Sequence, residues 1–189
     1  MTLPPLVEPG EPLSREEVNR YSRHLLIPNV GMEGQRRIKN AKVLVIGAGG
    51  LGSPTLLYLA AAGVGALGII DFDRVDESNL QRQIIHTVDS IDELKVESAK
   101  RAIHKLNPHV KVETYTDRLE PDMAVELFSR YDLILDGTDN FATRYLVNDA
   151  CMLADKPYVW GSIFRFEGQV SVFWENAPGG IGLSSRDLY

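Results

Sequence analysis

The chain has few of the groups that would tie it to a membrane, a disulfide framework or a polyanion. Its 189 residues include one cysteine, Cys151, so no disulfide can close within it. No apolar run reaches the roughly 20 residues a bilayer-spanning helix needs. The N-terminus shows no basic stretch followed by an apolar signal segment. Positive charge is in the minority, 20 Lys and Arg against 26 Asp and Glu, for a formal charge of −6. That balance argues against nucleic acid as the main partner. Histidine is scarce as well. His24, His86, His104 and His109 have no metal-ligand spacing with one another or with the cysteine, so zinc is not supported. The expected protein is cytoplasmic, with no membrane and no nucleic acid among its partners. What remains, 44% hydrophobic and 24% charged residues, is the make-up of an ordinary globular domain. A chain of this length buries one sizeable core.

What is present is concentrated in a few short segments. Val43-Leu-Val-Ile46 is a buried-strand run that passes into Gly47-Ala-Gly-Gly-Leu-Gly52 and then an apolar, helix-compatible stretch. A strand turning into a helix N-terminus through GxGxxG presents backbone N–H groups and a helix dipole to a phosphate. Asp71 ends the next apolar run, where a carboxylate can accept hydrogen bonds from a ribose. This much says only nucleotide, and dinucleotide enzymes use the same motif. The polar loop Ser78-Asn-Leu-Gln-Arg-Gln83 and Lys95 shift the reading, because two cations near the phosphate end suit a triphosphate whose leaving pyrophosphate gains charge. The strand Leu133-Ile-Leu-Asp136 leads into Gly-Thr-Asp139-Asn140, and Asp139 is a candidate Mg2+ ligand. The set reads as MgATP.

Hydrophobic periodicity organises the rest. Ser14 and Glu17 form a capping-box signal for a helix of about 14–26, and Gly34–Ile38 suggests a second short helix. Strands are expected at 42–46, 67–71, 110–115, 132–136 and 157–160, alternating with helices at 50–62, 95–106, 121–130 and 141–154. Alternation of this kind implies an α/β, Rossmann-like fold: a mostly parallel sheet with helices on both faces. Ser162–Phe166 and Gln169–Trp174 flank Glu167-Gly168, which reads as the turn of a C-terminal antiparallel hairpin. The proposed division is one domain over 1–189, with a Pro-rich flexible lead at 1–12, an N-terminal helical arm at 13–40 and a nucleotide-binding core at 41–189. The polar, Gly-rich segment 175–189 ends abruptly, so the chain is expected to be part of a longer protein.

In order and spacing, several segments resemble the adenylating enzymes of the ThiF/MoeB family, relatives of the ubiquitin-activating enzymes. They are Arg20-Tyr-Ser-Arg23, Gly47–Gly52, Asp71-Phe-Asp73, Ser78–Gln83, Lys95-Val-Glu-Ser98, Asp136–Asn140 and Glu167-Gly-Gln-Val170. Within the family the chain looks most like molybdopterin-synthase adenylyltransferases of the type often fused to a rhodanese domain. The resemblance implies ATP-dependent adenylation of the C-terminal glycine of a ubiquitin-like sulfur carrier protein ending in Gly-Gly. It implies that Gly47, Gly49, Gly50 and Gly52 cradle the nucleotide and Asp71 holds the ribose. Ser78, Asn79, Leu80, Gln81 and Arg82 would form the phosphate loop, with Lys95 near the α/β bridge. Asp139 would carry Mg2+ and Asn140 would line the adenine end. It also implies a homodimer in which Arg23 reaches the partner's site.

Each role has a plainer alternative. Arg82 and Lys95 could be solvated charges, Asp73 a loop or capping residue, and Arg23 an ordinary helix-surface residue. Asp136 competes with Asp139 for the metal, and Cys151 reads as a buried, inert thiol. At the level of function the alternatives are a tRNA-directed carboxylate-activating relative, an NAD-dependent oxidoreductase, and an inactive nucleotide-binding partner subunit.

Overall fold

The computed structural model describes residues 4–180 and 182–187, so residues 1–3 of the expected lead and 181, 188 and 189 of the C-terminal segment lie outside it. Three short helices come first: α1 (Arg15–Arg20), α2 (Ser22–Leu25) and α3 (Gly31–Asn40). The core follows as β1 (Lys42–Ile46), α4 (Gly52–Ala62), β2 (Ala66–Ile70), α5 (Lys95–Leu106), β3 (Lys111–Tyr115), α6 (Pro121–Ser129), β4 (Leu133–Asp136) and α7 (Phe141–Leu153). Strands β5 (Tyr158–Phe164) and β6 (Glu167–Phe173) complete the sheet.

The six strands lie in the order β3-β2-β1-β4-β5-β6. Neighbours from β3 to β5 run parallel, and β6 returns antiparallel to β5. Parallel strands covered on both faces must be apolar on both faces, which is why Val43, Leu44, Val45 and Ile46 run without alternation and are all buried. Val43, Val45, Leu67 and Ile69 pack under α4 and α5. Leu44, Ile46, Ile70 and Ile134 pack under α6 and α7. The strand order reverses between β1 and β4, with β2 and β3 on one side and β5 and β6 on the other, and in open α/β sheets ligands sit beyond the strand ends at such a switch.

Two expectations about local structure are corrected. The helix at 14–26 starts as read, with Ser14 Oγ accepting the Glu17 N–H (3.1 Å) and the Glu17 carboxylate accepting the Ser14 N–H (2.7 Å). It breaks at Tyr21, whose φ/ψ of −97°/14° leaves the helix. Tyr21 is buried, its hydroxyl accepts from Asn107 Nδ2 (2.8 Å), and its ring lies against Gly63. The hairpin turn falls at Arg165-Phe166 rather than Glu167-Gly168, with Arg165 at φ +57°. Segments 157–160 and 162–166 are therefore mostly one strand. The observed register sets Tyr158 opposite Phe173, both buried, with ring centroids 5.3 Å apart. A turn at Glu167-Gly168 would move Phe173 opposite Ser162 and break that pair, a larger loss than the cost of one left-handed residue (about 1–2 kcal/mol).

The flanking segments are fastened to helices, the N-terminal one to α3 and the C-terminal one to α7. Arg36 donates to the Gly10 carbonyl (2.9 and 2.6 Å), and Asn40 donates to that of Glu8 (3.0 Å). At the other end, Ser185 donates through N–H and Oγ to Asn148 Oδ1 (both 2.9 Å), and Arg186 pairs with Asp149 (2.7 Å).

Candidate nucleotide site

The site begins where β1 meets α4. Gly47 takes φ +91°, and Gly52 packs so tightly that an added Cβ would lie 1.9 Å from the Gly47 carbonyl oxygen. Gly52 is the glycine that backbone packing demands. Gly49 and Gly50 have room for a side chain in this structure, with Gln83 (3.7 Å) and Arg82 (3.8 Å) nearest an added Cβ. Both face the polar loop that follows β2.

Ala48 is fully buried and held at both of its peptide groups. Its N–H donates to Asp71 Oδ2 (2.8 Å), and its carbonyl accepts from His86 Nε2 (3.0 Å). His86 Nδ1 meets Ser98 Oγ on α5 at 2.9 Å. Burial holds this imidazole below its ordinary pKa, with the Lys95 charge adding to the effect and the Ala48 carbonyl opposing it. The second oxygen of Asp71, Oδ1, accepts the Asp73 N–H (2.8 Å). Asp71 therefore sits at the end of β2 as expected and also braces the glycine loop.

Lys95 opens α5 and is buried, and its Nζ pairs with Asp73 Oδ2 at 2.9 Å. Asp73 is thus an ion-pair partner at the site. Arg82 is exposed beside Gly50, its guanidinium donating to the Ser78 carbonyl (3.3 Å) and its N–H to that of Asn79 (3.1 Å). Ser78 bonds Asp76, and Asn79 closes the same short turn by accepting the Asp76 N–H (3.4 Å). Leu80 is half-buried, whereas Gln81 points to solvent.

Across the switch, Gly137 N–H bonds the Ile46 carbonyl (3.0 Å), which places the start of the 137–140 loop beside the glycine loop. Asp136 ends β4. Its Oδ1 accepts from the Thr138 N–H (2.9 Å) and hydroxyl (2.7 Å), while Oδ2 is buried without a hydrogen-bond partner among the described residues. Burial raises its pKa, against the pull of Thr138 and Arg144. Asp139 is exposed, and Asn140 caps α7 by accepting the Thr143 N–H (2.8 Å). A cavity of about 330 Å³ lies next to this loop, lined by Leu51, Gly52, Thr55, Asp136, Gly161 and Ser162 among others. Asp71, Arg82 and Lys95 do not line it.

The fold thus gathers the four glycines, Asp71, Arg82 and Lys95 around one loop. It leaves Asp139 and Asn140 at the mouth, and Arg23 exposed on α2 without a hydrogen bond or ion pair among the described residues. Gln83 and His86 stand at the glycine loop although sequence reasoning gave them no role, whereas Asp73 and Asp136 were weighed there as a loop or capping residue and a rival metal ligand. Gln83 stood in the quoted motif, and its buried Oε1 has no partner among the described residues. His86 carried no readable signal, since its role is to bond a backbone carbonyl. Cys151 is buried as expected, and burial pushes its thiol pKa up. The described residues contain no group of three or more His, Cys, Asp or Glu that could hold a metal.

A switch-point crevice with a glycine loop, a carboxylate after β2 and converging cations defines a nucleotide-binding α/β protein. Residues 21–184 match the ThiF family, and the chain belongs to it. It is 69% identical over 188 residues to a probable adenylyltransferase/sulfurtransferase MoeZ of Mycobacterium tuberculosis, covering 100% of this chain and 48% of that protein. It is 51% identical over 160 residues to a sulfur carrier protein adenylyltransferase of Thermus thermophilus, covering 85% and 59%. Among solved structures it is similar to PaaA (TM-score 0.82, 26% identity, covering 94% of this chain and 56% of that one). It is also similar to Escherichia coli MccB with ATP (TM-score 0.69, 30% identity, 76% and 44%). The chain spans about half the length of the MoeZ relative it matches.

Proposed function

We propose that the chain is the adenylation unit of an ATP-dependent adenylyltransferase that activates a ubiquitin-like sulfur carrier protein ending in Gly-Gly. The pathway served would be sulfur transfer for molybdopterin, thiamine, cysteine or thiolated metabolites. The observation that supports this reading is a glycine loop at the switch point bonded to Asp71, with Arg82 beside Gly50 and Lys95 tied to Asp71 through Asp73. The names of its relatives support it, including the sulfur carrier protein adenylyltransferase and the MccB structure with ATP.

In this reaction a carboxylate oxygen of the carrier attacks the α-phosphorus, the bond to the bridging oxygen breaks, and pyrophosphate leaves. The nucleophile is already ionised, so no general base is needed. The barrier lies in bringing an anion to a polyanion and in stabilising charge on the leaving group, which positioned cations do well. Arg82 and Lys95 supply those cations in this reading, Asp71 orients the ribose, and the glycine loop lets the phosphates approach the backbone. Mg2+ would arrive on the phosphates. A single exposed carboxylate, Asp139, fits that ion, because magnesium on nucleotides keeps most of its waters and takes one or two protein carboxylates. In the same reading the enzyme is a cytoplasmic homodimer, and the exposed Arg23 serves the partner's site.

Intact-mass spectrometry of Gly-Gly-ended carriers incubated with the full-length protein and MgATP tests the proposal, beside an Arg82→Ala control. The expected result is an AMP-sized gain on one carrier that the control loses. ATP binding without modification of any carrier would overturn it.

A further inference from the structure

The Asp73–Lys95 ion pair has no assigned part in the reaction above. Its two members differ sharply in exposure: the Lys95 side chain is 8% exposed and that of Asp73 52%. The buried ammonium requires a partner, and Asp73 supplies it while leaving its own carboxylate half open to solvent and to whatever binds beside it. Asp73 is nonetheless held firmly by its backbone. Its N–H donates to Asp71 Oδ1 (2.8 Å), and its carbonyl accepts the Lys95 N–H (2.9 Å). One residue therefore links the Asp71 carboxylate, the first turn of α5 and the Lys95 ammonium. A lysine head on a four-carbon stem has many rotamers, and the charge-assisted bond to Asp73 selects one of them.

We propose that Asp73 is a positioning residue for adenylation: it sets the Lys95 ammonium against Asp71 and the glycine loop and shares it with the nucleotide's phosphates. This rests on the reading above. Asp73 competes with the phosphates for the ammonium before reaction and fixes its place during it, so its removal acts in opposite directions on binding and turnover. Asp73→Asn is expected to bind MgATP about three- to tenfold more tightly in titration calorimetry, while carrier adenylation slows by roughly 10- to 100-fold. In a Lys95→Met background the same substitution changes either quantity by less than about twofold, because a residue acting through another shows non-additivity. Asp73→Glu, which can still reach the ammonium, recovers part of the lost turnover.

Parallel loss of binding and turnover in Asp73→Asn, or effects that simply add in the double variant, would overturn the inference, as would unchanged turnover. If the unsubstituted protein forms no adenylate, the adenylation reading has failed on its own account. The MgATP binding cycle then decides for Asp73: coupling to Lys95 supports the inference, and its absence overturns it.

Discussion

The two sides of the switch point are finished to different degrees. On the β1–β2 side, Ala48 is bonded through both peptide groups, Asp71 uses both oxygens, and Lys95 is paired. On the β4–β6 side, Asp136 keeps a buried oxygen without a partner among the described residues, and Asp139 and Asn140 are exposed. The hairpin beyond them exposes Ile163, Phe164, Phe166, Val170 and Val172. Polar groups that act on developing charge work best when their geometry is set in advance, and the first side meets that condition with its own side chains. The second side leaves a buried carboxylate oxygen unsatisfied among the described residues and a row of apolar side chains exposed. A rigid half and an open half of one mouth suit a protein that holds a nucleotide in one place and meets a second, larger substrate at the other.

Substitutions can break or sharpen that contrast. Gly52→Ala should do most damage, since its Cβ would lie 1.9 Å from the Gly47 carbonyl. Strand and helix would have to separate, at a cost of about 3 kcal/mol or more, seen as a lowered urea midpoint or no folded protein. His86→Ala removes the nearer donor of the Ala48 carbonyl, leaving Ser53 Oγ at 3.4 Å, and should cost on the order of 1–3 kcal/mol.

His86 also predicts a pH dependence. Its folded pKa lies below the ordinary 6.5, so the unfolded chain takes up the proton first as pH falls. The stability tied to neutral His86 is complete above about 6.5 and is lost as pH drops from there to the folded value. Denaturation curves across that range should show a slope that His86→Ala reduces, and an unchanged slope would assign the pH dependence elsewhere.

On the open side the effects should be smaller. Asn140→Ala removes the α7 cap and should cost about 1 kcal/mol, read as a small fall in melting temperature. Phe166→Ser, at a fully exposed hairpin tip, should stay within about 0.5 kcal/mol. A large loss there would show that the tip is covered in solution, and the contrast between the two sides would need redrawing.

Much of this was legible because local physics and tertiary structure agree. The run Val43–Ile46 has to be buried on both faces, and the Asn107-Pro108 stop and the apolar face of Val96, Ala99 and Ile103 defined α5 to the residue at Lys95–Leu106. Asp71 and Lys95 could be placed because an element end is a position the sequence marks. The hairpin turn could not, since Gly168 is the stronger local turn signal and the distant Tyr158–Phe173 contact overrides it. Tyr21 likewise ends a helix to reach Gly63 and Asn107 far along the chain.

The sequence by itself determined the α/β alternation and the glycine loop, because hydrophobic period and backbone freedom are written residue by residue. Only the tertiary structure decided that Gly52 is the tightly packed glycine, that Asp73 holds Lys95, that His86 bonds Ala48 and that Asp136 keeps a buried oxygen without a hydrogen-bond partner among the described residues. Those depend on distances between segments that no spacing along the chain encodes.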